Sequence, residues 1–150
     1  MRVAKKRSEI MSAIRAKHTG CELQLRKCLS ALGLRYRLHK AGLPGRPDIV
    51  FVCAKVAVFC DGDFWHGRKW KARQANGQFK VRRRYWTQKI EENIRRDRRV
   101  NRKLRKLGWL VLRYWESEIR KSGPEIGLEV AKSVRRRLAL NRRRKIKKVI

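Results

Sequence analysis

Five side chains of this 150-residue chain have types and positions suited to hydrolytic chemistry: Glu22, Asp48, Asp61, His66 and Asp97. Asp48 opens one β-type run, residues 48–53, and Asp61 follows a second, residues 56–60, with only Ala54-Lys55 between them. A hairpin closed symmetrically on Ala54-Lys55 would set Asp48 opposite Asp61, their Cβ atoms about 4.5–5.5 Å apart on one face. Two carboxylates that close repel each other unless a cation lies between them, and Mg²⁺ takes oxygen ligands of this kind. The alternative is a turn acid and a strand-end acid that both face solvent. A one-residue slip would instead oppose Asp48 to Cys60 or Gly62.

Asp97 falls on the apolar stripe of a helical segment, in line with Trp86, Ile90, Ile94 and Leu104, while the surrounding arginines point elsewhere. A carboxylate placed inward asks for a partner, and a histidine that it orients would serve. The competing reading is a partly exposed acid offsetting its arginine neighbours. His66, in DGDFWHG (residues 61–67), is the nearest candidate for that partner and for a general base, although a lone histidine is also a common structural hydrogen-bonding residue. Glu22 has two readings as well. It completes a capping box, Thr19-Gly20-Cys21-Glu22, and it shares a helix side with Leu25, Leu29 and Leu32 that would let it reach a sheet.

The elements that must position these groups follow from periodicity. A helix is expected from Thr19 until Gly33 stops it, a weak edge strand over 35–39, and a rigid turn at Leu43-Pro44-Gly45-Arg46-Pro47. The hairpin comes next, then a polar, basic loop to about Lys80, a long helix over about 84–106 ended by Gly108, and a strong strand at 110–114. Because a helix separates this last strand from the hairpin, it joins the sheet by a parallel crossover. A final amphipathic helix is expected over 127–140. The fold class is α/β: a small mixed β-sheet flanked by helices. Residues 1–18 read as a basic arm with a short helical stretch near 8–16, residues 19–140 as one domain, and 141–150 as a basic tail that stays disordered until it meets phosphate.

With 43 Lys+Arg against 12 Asp+Glu, a formal charge of +31, the expected partner is a polyanion. Nucleic acid is favoured over membrane because the basic residues interleave with aromatics and no apolar run approaches the roughly 20 residues of a membrane span. A non-catalytic RNA binder would carry the same charge, but it has no use for converging acids. No signal peptide is visible, so a cytoplasmic, nucleoid-associated location is the expectation. Cys21, Cys28, Cys53 and Cys60 form no ligand cluster and read as reduced, mostly buried thiols.

RSEIMSAI, Glu22, LPGRPDIV, FCDGDFWHG, YWTQKIEENIRRDRR and LGWLVLRYWE occur in this order, spanning about Arg7 to Glu118. Together they resemble the very short patch repair (Vsr) endonucleases, a branch of the PD-(D/E)xK nucleases. The resemblance implies a Mg²⁺-dependent DNA endonuclease acting on double-stranded and sometimes mismatched DNA; one small active site favours a nick over a double cut, and a monomer is expected. It makes Asp48 the metal aspartate, the Cys60 backbone carbonyl a further ligand, His66 the activator of water and Asp97 its hydrogen-bonded acid. Glu22 supports the metal through water. Phe64, Trp65 and Trp86 correspond to aromatics that wedge between base pairs; Arg7, Met11 and Arg46 are assigned to DNA contact. Asp61 stands where repair members carry a second histidine and is a candidate direct ligand. Asp63, Arg68, Trp70 and Ser117 stand where cysteine or histidine would hold a structural zinc, so none is expected. Vsr-like homing or restriction-type nucleases sharing this residue set are the alternative.

Overall fold

The computed structural model describes residues 19–77 and 82–147. The elements run α1 (Gly20–Ala31), β1 (Arg37–Leu38), β2 (Ile49–Phe51), β3 (Val56–Asp61), α2 (Trp70–Ala75), α3 (Arg83–Lys106), β4 (Leu110–Trp115) and α4 (Glu116–Lys147). The strands form one mixed sheet in the order β1-β2-β3-β4, antiparallel except for the parallel β3–β4 pair. That pair is the expected crossover, with α3 as its helix. The arm over 1–18, with Arg7 and Met11, lies outside the described residues.

Helices cover both faces of the sheet. On one, Leu25 and Leu29 of α1 and Ile119, Ile126 and Val130 of α4 pack against Ile49, Phe51, Val56 and Val58. On the other, Leu104 of α3 packs with Ala57, Phe59 and Val111, joined at the edge by Val100 and Trp109. β3 is buried on both faces, which accounts for its unbroken apolar run.

The hairpin register differs from the symmetric expectation. Ile49 pairs with Val58, Val50 with Ala57 and Phe51 with Val56, so the connection is a four-residue turn over 52–55 rather than a two-residue one. Only Lys55 takes a left-handed φ, +52°, and its amide closes the turn onto the Val52 carbonyl at 3.1 Å. A two-residue type I′ turn needs positive φ at both positions, which Ala54 does not favour. Continued one step, this register sets Asp48 opposite Phe59, not Asp61. A slip of two keeps every side chain on its face, so the two acids still share a side, diagonally.

Three helical expectations also change. The capping box does not form: Thr19 makes no side-chain cap bond, its hydroxyl lies 3.2 Å from Cys21 Sγ, and Glu22 turns inward. Trp70 seeds a short helix within the expected loop because its ring is buried. α4 begins directly after β4 and is continuous apart from non-helical Ser122, with Pro124 in the first turn of the resumed helix, where its missing N–H is harmless. The segment from 141 to 147, expected to be disordered, continues α4. Arg137 donates to the carbonyls of Ala54 and Gly108, and Asn141 donates to that of Cys53 at 3.0 Å, fastening this part of α4 to the end of the sheet remote from Asp61. All four cysteines are free, and Cys53 is exposed rather than buried.

Candidate active site

The acids converge where β2 starts and β3 ends, at an open cleft of ≈ 910 Å³ lined by Asp48, Cys60, Asp61, His66, Asp97 and Arg113 among others. Asp48 Oδ2 accepts the Cys60 amide at 2.8 Å, which fixes the carboxylate across the strand pair. Its pKa is raised to about 6, chiefly by burial, with the charges of Glu22 and Asp61 adding to the rise and the Cys60 amide opposing it. Behind it lies His39, whose Nδ1 is 3.8 Å from Asp48 Oδ1 and whose Nε2 is 3.2 Å from Glu22 Oε1. Glu22 is only 1 % exposed, so its reach to the sheet is realised through His39. Ligand atoms of Glu22, His39 and Asp48 lie within 4.8 Å of one another, and among the described residues they are the one such group. An acid cluster whose mutual repulsion already favours protonation suits a divalent cation.

His66 lines the same cleft. Its Nδ1 lies 2.6 Å from Asp97 Oδ2, the pairing anticipated from the inward face of α3. Burial disfavours the Asp97 carboxylate, but the His66 hydrogen bond and the charges of Arg113 and Arg96 outweigh it and hold the pKa below the usual carboxylate value. An ionised Asp97 accepts from Nδ1–H and leaves Nε2 as the basic nitrogen of a neutral ring. The loop that delivers His66 winds tightly: the His66 amide bonds the Gly62 carbonyl at 3.2 Å, and Asn93 of α3 holds the Trp65 carbonyl at 2.9 Å. Gly67 ends the turn at φ +74°, with Ile94 so close that a Cβ would lie 2.5 Å from its Cδ1.

Asp61 is engaged differently from a bare ligand. Both of its oxygens lie 2.8 Å from Nη1 of Arg113, and Oδ1 is 3.7 Å from His66 Nδ1. Phe64, Trp65 and Trp86 pack on one another, with ring centroids 5.1–5.9 Å apart, and are half-buried rather than fully exposed. Tyr85 extends the cluster toward solvent, 57 % exposed. Arg46 is exposed at the cleft, in a left-handed conformation of φ +49°.

At the positions read for zinc, the Asp63 carboxylate accepts from the Ser117 hydroxyl at 3.1 Å and the Ser117 amide at 3.4 Å. Arg68 spans from Asp63, at 3.7 Å, to Glu118, at 3.4 Å. A carboxylate, a hydroxyl, a guanidinium and the buried Trp70 indole are not a zinc donor set. They form a polar clasp between the His66 loop and the start of α4, and they give Asp63 the role that its sequence position did not suggest.

Two site residues escaped the sequence reading. His39 was signalled by the edge strand: pairing Leu38 with Ile49 places His39 opposite Asp48, and its amide donates to the Asp48 carbonyl at 3.1 Å. Arg113 was signalled only as the one charged side chain in an apolar strand, Leu110–Trp115.

The family model described as DNA mismatch endonuclease Vsr matches residues 2–72. A type II nicking enzyme of Neisseria meningitidis serogroup C is 42 % identical over 136 residues, covering 91 % of this chain and 90 % of that protein. A type II nicking enzyme of Haemophilus parainfluenzae is 41 % identical over 79 % of this chain and 82 % of its own length. The DNA mismatch endonuclease Vsr of Escherichia coli is 39 % identical over 76 % of this chain and 71 % of its own length. With the ordered motifs and the cleft they build, these relationships make the chain a member of the Vsr endonuclease family.

Proposed function

We propose that the protein is a Mg²⁺-dependent DNA endonuclease that nicks one strand, with His66 activating the attacking water. The observation that carries this reading is the His66–Asp97 pair at 2.6 Å, lining the same cleft as Asp48. Ionised Asp97 fixes the ring so that Nε2 takes a proton from water, and the resulting imidazolium is stabilised by the carboxylate behind it. Asp48 would hold the cation, with the Cys60 carbonyl beside it and Glu22 and His39 behind. A divalent ion held there supplies charge for the scissile phosphate and the leaving oxygen.

DNA is the partner that the +31 charge and the names of the relatives support. Phe64 and Trp65 line the cleft and Trp86 packs on both, a preformed apolar wedge suited to unstacking a base step at a cost of a few kcal/mol, least where pairing is already weak. We therefore assign a preference for T·G-mismatched duplex. We take the acting form to be a monomer. It would act in the cytoplasm on nucleoid DNA. Strand-resolved cleavage of matched and T·G duplexes, with Mg²⁺ or EDTA, tests the reading: a single Mg²⁺-dependent nick, faster at the mismatch, is expected, and EDTA-resistant cleavage would refute the metal role.

A further inference from the structure

Arg113 is a charged residue on the buried face of a sheet strand, and each nitrogen of its side chain is committed. Nε donates to Asn101 Oδ1 at 2.9 Å, Nη1 lies 2.8 Å from both oxygens of Asp61, and Nη2 lies 3.5 Å from Asp97 Oδ1. The guanidinium carbon sits 4.1 Å from the Phe59 ring centroid, which sets the plane of the group. Asn101 and Asp97 belong to α3, Asp61 and Phe59 to β3, and Arg113 itself to β4. A single side chain thus spans the three elements that enclose His66.

We infer that Arg113 is the positioning residue of the proton-handling pair, and that by taking both Asp61 oxygens it reserves Asp61 for orienting His66 and not for ligating the cation. The inference rests on the nuclease reading above. Two blander roles fit the geometry less well. An arginine that binds DNA phosphate needs free donors at the surface, but this side chain is 18 % exposed with its nitrogens engaged. An ion pair serving stability alone would not need to contact both carboxylates that flank one imidazole, Asp97 at 2.6 Å and Asp61 at 3.7 Å from the same nitrogen. The fork geometry of a guanidinium holds two acids and an amide at fixed angles, which an ammonium cannot do.

The test compares wild type with Arg113→Met, Arg113→Lys, Asp61→Asn and the Asp61→Asn/Arg113→Met double variant. Single-turnover nicking, DNA affinity, Mn²⁺ binding by calorimetry and melting temperature are measured on each, with Asp48→Asn and His66→Ala as controls. The double variant leaves no unpaired buried charge, so it stays folded even if Arg113→Met alone does not. The expected result is about a hundredfold loss of single-turnover rate in the double variant, as for a misplaced catalytic group. DNA and Mn²⁺ affinities stay at wild-type values, Arg113→Lys recovers only part of the rate, and the effects of Asp61→Asn and Arg113→Met are less than additive. A folded double variant that nicks at the wild-type rate would overturn the proposal. So would Mn²⁺ binding weakened by Asp61→Asn and tightened by Arg113→Met, which would make Asp61 a ligand. Failure of the nuclease reading is seen separately, as full activity in His66→Ala or undiminished Mn²⁺ binding in Asp48→Asn.

Discussion

His66 Nδ1 and Asp97 Oδ2 lie 2.6 Å apart although 31 positions separate them in the chain, one on a loop after β3 and the other on the inward face of α3. Asp97→Asn keeps the shape of the acceptor and removes its charge, and the amide can also present N–H to Nδ1 and turn the ring to the other tautomer. Nicking should fall by about ten- to a hundredfold, part of the 10²–10⁴ that a positioned base supplies, with DNA affinity unchanged. Single-turnover kinetics at saturating protein check this.

The raised pKa of Asp48, about 6, gives a pH dependence whose direction is fixed. The cation needs the carboxylate, so Mn²⁺ affinity measured by calorimetry should fall as the pH drops below about 6. Without metal the same group acts oppositely on stability. Its folded pKa lies above the unfolded value of 3.8, so the folded state binds more protons between these values, and stability falls as pH rises from about 4 to 6. Asp48→Asn should remove that slope and stabilise the metal-free protein at pH 7 by up to about 3 kcal/mol, read as a higher melting temperature.

The sequence made Asp97 and Asp48 legible because each follows from a period, one as an acid on the apolar stripe of α3 and the other at the mouth of a strand pair. β4 and its parallel crossover were legible for the same reason. His66 was legible only as the nearest histidine to the mouth of the strand pair and through the family resemblance. The hairpin register was not, because Ala54-Lys55 is a poor primed turn and turn geometry, not the apolar pattern, decides a slip of two. Arg113 was hidden by composition: among 43 basic residues, one more arginine reads as a phosphate contact until its partners are seen. Glu22 satisfied a helix-start pattern so well that its burial behind His39 remained one of two readings.

The Asp63–Ser117 clasp ties the His66 loop to the start of α4 by hydrogen bonds. Asp63→Ala should cost about 1–2 kcal/mol, read as a lower melting temperature. EDTA should leave the wild-type melting curve unshifted at pH 8, and metal analysis of the purified protein should find no stoichiometric zinc.

Gly67 follows His66 directly and lies between the clasp residues Asp63 and Arg68. Gly67→Ala places a Cβ 2.5 Å from Ile94 Cδ1 at φ +74°, so it should destabilise by more than about 1 kcal/mol and displace the histidine. Melting temperature and nicking rate should fall together.

The central claim is that His66 handles the proton, and the nicking rate of His66→Ala on supercoiled plasmid in Mg²⁺, measured beside DNA binding, tests it most directly. A loss of about 10²–10⁴-fold with unchanged DNA affinity is the predicted result; cleavage by that variant at the wild-type rate would contradict it.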